Sequence, residues 1–141
     1  MMRLFKQLTL AIVLMAAGTA NVQAQNVKVP HAYMFGFVAS FNDSTVYFTN
    51  IQKVDSVWVT KKKKMLAGRN NYSYQLREFF ANQRNLPNRT CVVVANVDRK
   101  KVEKKYTKMK NKYLVKSKKP YDVRNVAETD FKFTAVDMSN D

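Results

Sequence analysis

The stretch 90–114 most constrains the fold, because a short apolar run there passes straight into an amphipathic helix. Thr90-Cys91-Val92-Val93-Val94-Ala95-Asn96-Val97 is rich in valine and apolar on both faces, the pattern of an interior strand rather than an edge. Asp98 ends the run. Its carboxylate suits the free N–H groups and the positive dipole end of a following helix. Over 99–114, Val102, Tyr106, Met109 and Tyr113 recur at spacings of four, three and four, which at about 100° per residue makes one narrow apolar stripe. Lys100, Lys101, Lys104, Lys105, Lys108 and Lys112 fill the rest of the surface. The helix must lie on a sheet and present a basic face to solvent.

Residues 1–24 read as an address rather than as structure. Arg3 and Lys6 give a positive start, residues 8–17 are mostly apolar, and Val22-Gln23-Ala24 places small residues where a signal peptidase cuts. The apolar run falls short of the ~20 residues a bilayer requires. The expectation is a cleaved signal peptide over 1–24 and a soluble, exported (periplasmic or secreted) chain over 25–141. That length suits a single basic domain with one core. The lone Cys91 has no partner for an internal disulfide, and its apolar surroundings make it a core residue rather than a reactive thiol.

After a polar lead-in at 26–31, residues 32–41 place Tyr33, Phe35, Phe37, Ala39 and Phe41 on one face at period two, with the other face also largely apolar. Asn42-Asp43-Ser44 is turn chemistry, and residues 45–51 form a second β-branched and aromatic run, so the two read as a hairpin. Gly36 in mid-strand marks a bulge, a close approach or room for an aromatic neighbour. The segment 52–69 carries Val57-Trp58-Val59, a short strand or a packed loop anchored by the Trp, and the exposed run Lys61 to Lys64. Asn70 and Asn71 offer caps for a helix over 71–84 with Tyr72, Leu76, Phe79 and Phe80 on one face. Residues 116–120 read as a charged linker, 121–130 as irregular, and 131–136 as a last alternating strand. The predicted fold is α+β, two layers, with a four-stranded mixed sheet, both helices on one face, and the order β-β-α-β-α-β.

Candidates for catalysis are few. His31 is the only histidine, and a nucleophilic triad would have to carry it across the fold to a nucleophile. Glu128 and Asp130 are the one close acidic pair that would share a face if extended, the geometry general acid/base work needs. A small hydrolase-like enzyme built on His31 or on Glu128 and Asp130 is the alternative to a binding role. One His and one Cys do not make a zinc site without clustered carboxylates, and none of the three glycines belongs to a phosphate-cradling loop. No catalytic residue, metal or cofactor is assigned.

Charge is the strongest signal. The formal charge is +15, of which Arg3 and Lys6 supply two, and between Arg99 and Lys119 eleven basic residues face one acid, Glu103. Such density draws anionic partners through the field of the whole molecule. Lysine is a poor reader of bases, and the aromatics that single-strand binders expose are here assigned to buried stripes. The expectation is a non-enzymatic domain that binds an anionic macromolecule through Lys100, Lys104, Lys108 and Lys112. An exported chain would meet an acidic glycan, lipid head groups or extracellular nucleic acid.

A signal ending in Gln-Ala-Gln, the run Tyr33-Met34-Phe35-Gly36-Phe37, the run Ser40-Phe41-Asn42-Asp43-Ser44-Thr45-Val46-Tyr47, the motif Tyr72-Ser73-Tyr74-Gln75-Leu76, and Asn88-Arg89-Thr90-Cys91 leading to Arg99-Lys100-Lys101-Val102-Glu103-Lys104-Lys105-Tyr106 together resemble small uncharacterised exported proteins of Bacteroidota. The resemblance covers most of residues 25–141 and implies export and a shared fold. It brings no activity, cofactor or catalytic residue. It further implies O-glycosylation at Asp-Ser/Thr-apolar motifs, which Asp43-Ser44-Thr45 and Asp55-Ser56-Val57 resemble, so Ser44 and Ser56 are candidate modification sites.

Overall fold

The computed structural model describes residues 25–139. The expected signal peptide lies outside them. Among the described residues the elements run β1 (Asn26–Ala39), β2 (Thr45–Thr49), β3 (Gln52–Thr60), α1 (Arg69–Asn82), β4 (Thr90–Asn96), α2 (Arg99–Leu114) and β5 (Asp122–Val126). The fold is α+β with a mixed sheet.

β1 is the hub. It pairs antiparallel with β3 from Asn26↔Thr60 to Met34↔Gln52, with β2 at Phe37↔Phe48 and Val38↔Tyr47, and with β4 from Tyr33↔Asn96 to Ala39↔Thr90. A strand residue has one neighbour on each edge. β4 shares Tyr33 and Met34 with β3, and Phe37 and Val38 with β2, so β4 lies along one edge of β1 while β3 and β2 follow each other along the opposite edge. Between Met34↔Gln52 and Phe37↔Phe48, two residues of β1 oppose Thr49, Asn50 and Ile51, which is a bulge. β5 then adds to β2 in parallel, from Thr45↔Asp122 to Thr49↔Val126.

The sheet carries a helix on each face. Ala32, Met34 and Val38 of β1 pack with Tyr72, Leu76 and Phe80 of α1, while Phe35 and Phe37 pack with Val102, Tyr106, Met109 and Tyr113 of α2. The arrangement is three layers, not the two expected with both helices on one face. The reason is already visible in β1, whose alternate residues are large and apolar on both sides and so need cover on both. Likewise β4, expected in the interior, pairs only with β1 among the described residues. Its two apolar faces reflect the two helices that sandwich it, since burial of faces and pairing of edges are independent.

Among the described residues there are five strands instead of the expected four. The polar lead-in 26–31 is the first half of β1, held by β3. β3 itself escapes a period-two reading because Val54 and Val57, three residues apart, enter the same cluster, with Ser56 between them at φ 59°. β5 forms where an irregular segment was expected; Asp122, Arg124 and Asn125 are exposed, so it shows no apolar signal. The alternating run 131–136 is not a strand. Phe131 and Phe133 are buried, but side chains satisfy their backbone: Gln52 Nε2 donates to Phe131 O and Phe133 N donates to Gln52 Oε1, both at 2.8 Å. Gln75 repeats the pattern with Thr134, and Val136 N donates to Tyr72 Oη at 3.0 Å. α1 begins after Gly68 in the left-handed region, φ 76°, with no side-chain cap, so Asn70 and Asn71 lie inside the helix rather than capping it.

Candidate anion-binding face

The basic face is set by how α2 begins and by what it buries. Asp98 is in extended conformation, and its Oδ1 accepts from Lys100 N at 3.0 Å, which caps the helix as expected. Val102 is fully enclosed, Tyr106 meets Phe35 edge-on with centroids 4.8 Å apart, and Tyr113 stacks on Phe37 at 5.2 Å. These contacts fix the rotation of the helix about its axis. Lys100, Lys104 and Lys108, four residues apart, are therefore held in a row facing solvent.

Together with Glu103, Asn111 and Lys116 this row borders an open depression of about 550 Å³. Glu103, the one acid of α2, is already engaged by Arg99 Nε at 2.8 Å. Lys112 does not join the row; its Nζ lies 5.8 Å from the centroid of the Tyr113 ring. Lys116 takes that place, because the chain curls after Leu114 so that Val115 N and Lys116 N both donate to Asn111 O, at 2.9 and 3.0 Å. Helical spacing continued from Lys108 through Lys112 points to 116, a residue that the charged composition of 116–120 marks as linker. Lys110 turns the other way, onto Tyr106, with Nζ 4.6 Å from the ring centroid. The run Lys61 to Lys64 is exposed in the turn after β3, across β1 from β4.

His31 lies in β1 opposite Asp55, with its ring edge-on to Tyr33 at 5.5 Å. Glu128 and Asp130 stand on a turn closed by Asp130 N and Phe131 N to Ala127 O, not on the extended segment that would align them. Asp130 pairs with Arg84 at 3.5 Å. Burial pushes the Cys91 thiol up to about 11, against the pull of the Arg77 and Arg89 charges, and its Sγ donates to Arg89 O at 3.8 Å. The thiolate a nucleophile needs is not formed near neutral pH. Among the described residues no group of three or more His, Cys, Asp or Glu is placed to hold a metal ion, and no helix is long and apolar enough to cross a membrane.

Of the two serine motifs, Ser56 is exposed on β3, whereas Ser44 is half-buried and its carbonyl accepts from Asp122 N at 2.9 Å. The neighbouring Asp43 is committed to the fold. Its carboxyl is held below the usual carboxylate range by the Thr45 N–H first and by the Arg89 guanidinium second. Arg89 is only 6% exposed; it pairs with Asp43, donates to Thr45 O at 3.3 Å and lies over the Tyr47 ring at 5.5 Å. Reading the sequence missed this clamp, whose partners are more than forty residues apart.

Compared with known proteins, the chain matches no family model, no curated protein and no solved structure.

Proposed function

We propose that the protein is an exported, non-enzymatic domain that binds an anionic macromolecule on the outer face of α2. The observation that carries this reading is the convergence of Lys100, Lys104, Lys108 and Lys116 on one open depression whose single carboxylate, Glu103, is already paired. Ammonium groups are compact point charges without the fork geometry of arginine. They suit a dense array of phosphate, sulfate or carboxylate better than the edges of bases. Tyr106 and Tyr113 are turned into the sheet, so the face lacks the stacking platform of a single-strand binder. Export is supported by the positive start and apolar run ahead of Gln25.

Retention on heparin-agarose and co-sedimentation with phosphatidylserine vesicles test the face, and they separate a polyanionic chain from a lipid surface as the target. Both interactions are expected to weaken steeply with salt, as contacts between exposed charges do. Reversal of Lys100, Lys104, Lys108 and Lys116 to Glu should abolish retention, while reversal of Lys61, Lys62, Lys63 and Lys64 makes the same change in net charge and should spare most of it. Equal loss from the two variants would mean that overall charge, not this face, does the binding.

A further inference from the structure

We propose that the free edge of β4 is a docking site for an extended acidic segment of a partner protein, which joins the sheet as an additional strand. β4 bonds to β1 along one edge, and among the described residues nothing bonds to its outer edge. Unpaired edge N–H and C=O groups are a template for another strand. The template is recessed, because α1 covers Cys91 and Val93 on one face and α2 covers Val94 on the other.

The hollows flanking this edge carry a single sign of charge. On the α2 side a hollow of about 400 Å³ is bordered by Arg69, Lys101, Lys105 and Met109, with Val92 on its wall and 41% exposed. On the α1 side a hollow of about 260 Å³ beside Cys91 is bordered by Arg77. Every charged side chain lining the two is a cation. A strand entering between the helices would exchange main-chain hydrogen bonds with β4 and send alternate side chains toward the two hollows. The fitting partner carries Asp or Glu at positions that meet the cations and an apolar residue where Val92 is exposed beside the half-buried Met109.

Charge also selects against the other occupants. A second copy paired through β4 would set Arg69, Arg77, Lys101 and Lys105 against their own counterparts, and like charges juxtaposed across an interface are costly. Residues 1–24 contain Arg3 and Lys6 and no acid, so they offer no complementary charge. The site is separate from the outer face of α2, since Lys101 and Lys105 border the strand edge while Lys100, Lys104 and Lys108 border the outer depression.

The test is a titration with a synthetic ten-residue peptide alternating Glu with Val, followed by fluorescence anisotropy and by amide hydrogen exchange. Binding should slow exchange of those β4 amides that point away from β1 by about tenfold or more, as ladder hydrogen bonds form. Lys101→Glu with Lys105→Glu, both exposed, should weaken binding by roughly tenfold. Reversal of Lys100, Lys104 and Lys108 should leave the β4 protection in place, so that failure of the outer face and failure of this edge are distinguishable. A peptide of equal charge interrupted by prolines is expected not to protect β4. Equal binding of that peptide without protection would reduce the effect to charge attraction and overturn the proposal. So would β4 protection that appears with protein concentration alone, which would assign the edge to a second copy.

Discussion

Gly36 shows how a single absent side chain sets the distance between two layers. A Cβ built there would run into Leu76 Cδ2 of α1 and reach Thr49 Cγ2 at 3.4 Å, and the Gly36 N–H donates to Thr49 Oγ1 at 2.8 Å. The glycine is needed for close approach, not for an unusual backbone angle. Leu76 is fully enclosed, so it has little freedom to yield. Gly36→Ala is expected to cost about 1–3 kcal/mol, the range for overpacking a filled core, read as a fall in the urea midpoint. In a Leu76→Ala background the added methyl enters vacated space and its cost should shrink toward zero. An equal cost in both backgrounds would show that the two residues do not meet.

Among the elements, the tail after β5 is the one whose docking depends least on regular hydrogen bonding. Phe131 and Phe133 are buried as a strand would bury them, yet the side-chain amide of Gln52 does the work of a neighbouring strand by donating to one residue and accepting from the other. Gln52→Leu keeps most of the volume and removes both bonds. Each backbone group left without a partner is expected to cost about 1–3 kcal/mol, and the Phe133 amide should lose its protection from hydrogen exchange before the sheet does. Unchanged protection of that amide would mean the tail is held by its aromatic contacts alone. The same substitution leaves α2 untouched, so binding to heparin should survive it.

For the molecule as a whole, a formal charge of +15 is a field as well as a set of contacts. Repulsion among so many like charges opposes the compact state. Salt relieves it, since the Debye length falls from about 30 Å at 0.01 M to about 10 Å at 0.1 M. The thermal midpoint is therefore expected to rise by a few degrees over that range, measured by circular dichroism, while affinity for a polyanion falls. A midpoint that drops with salt would show that ion pairs such as Arg89 with Asp43 outweigh the general repulsion. The opposite responses of stability and binding to one variable would mark the positive face as a feature that costs the fold stability.

How much of this was legible in the chain follows from what kind of interaction each feature uses. Local rules are carried by residues a few positions apart. They sufficed for α2, with its Asp98 cap and its stripe of Val102, Tyr106, Met109 and Tyr113, and for the hairpin that sets Phe37 opposite Phe48. They also put Lys100, Lys104 and Lys108 on one face by helical spacing alone. Only the tertiary structure decided which side of the sheet each helix covers, because apolar faces show that cover is required without showing which helix supplies it. Among the described residues it alone made β4 an edge, turned the apparent strand 131–136 into a tail bonded by Gln52 and Gln75, and brought Lys116 to the row in place of Lys112. Those outcomes rest on hydrogen bonds and burial between segments distant in the chain, and no periodicity within a segment records them.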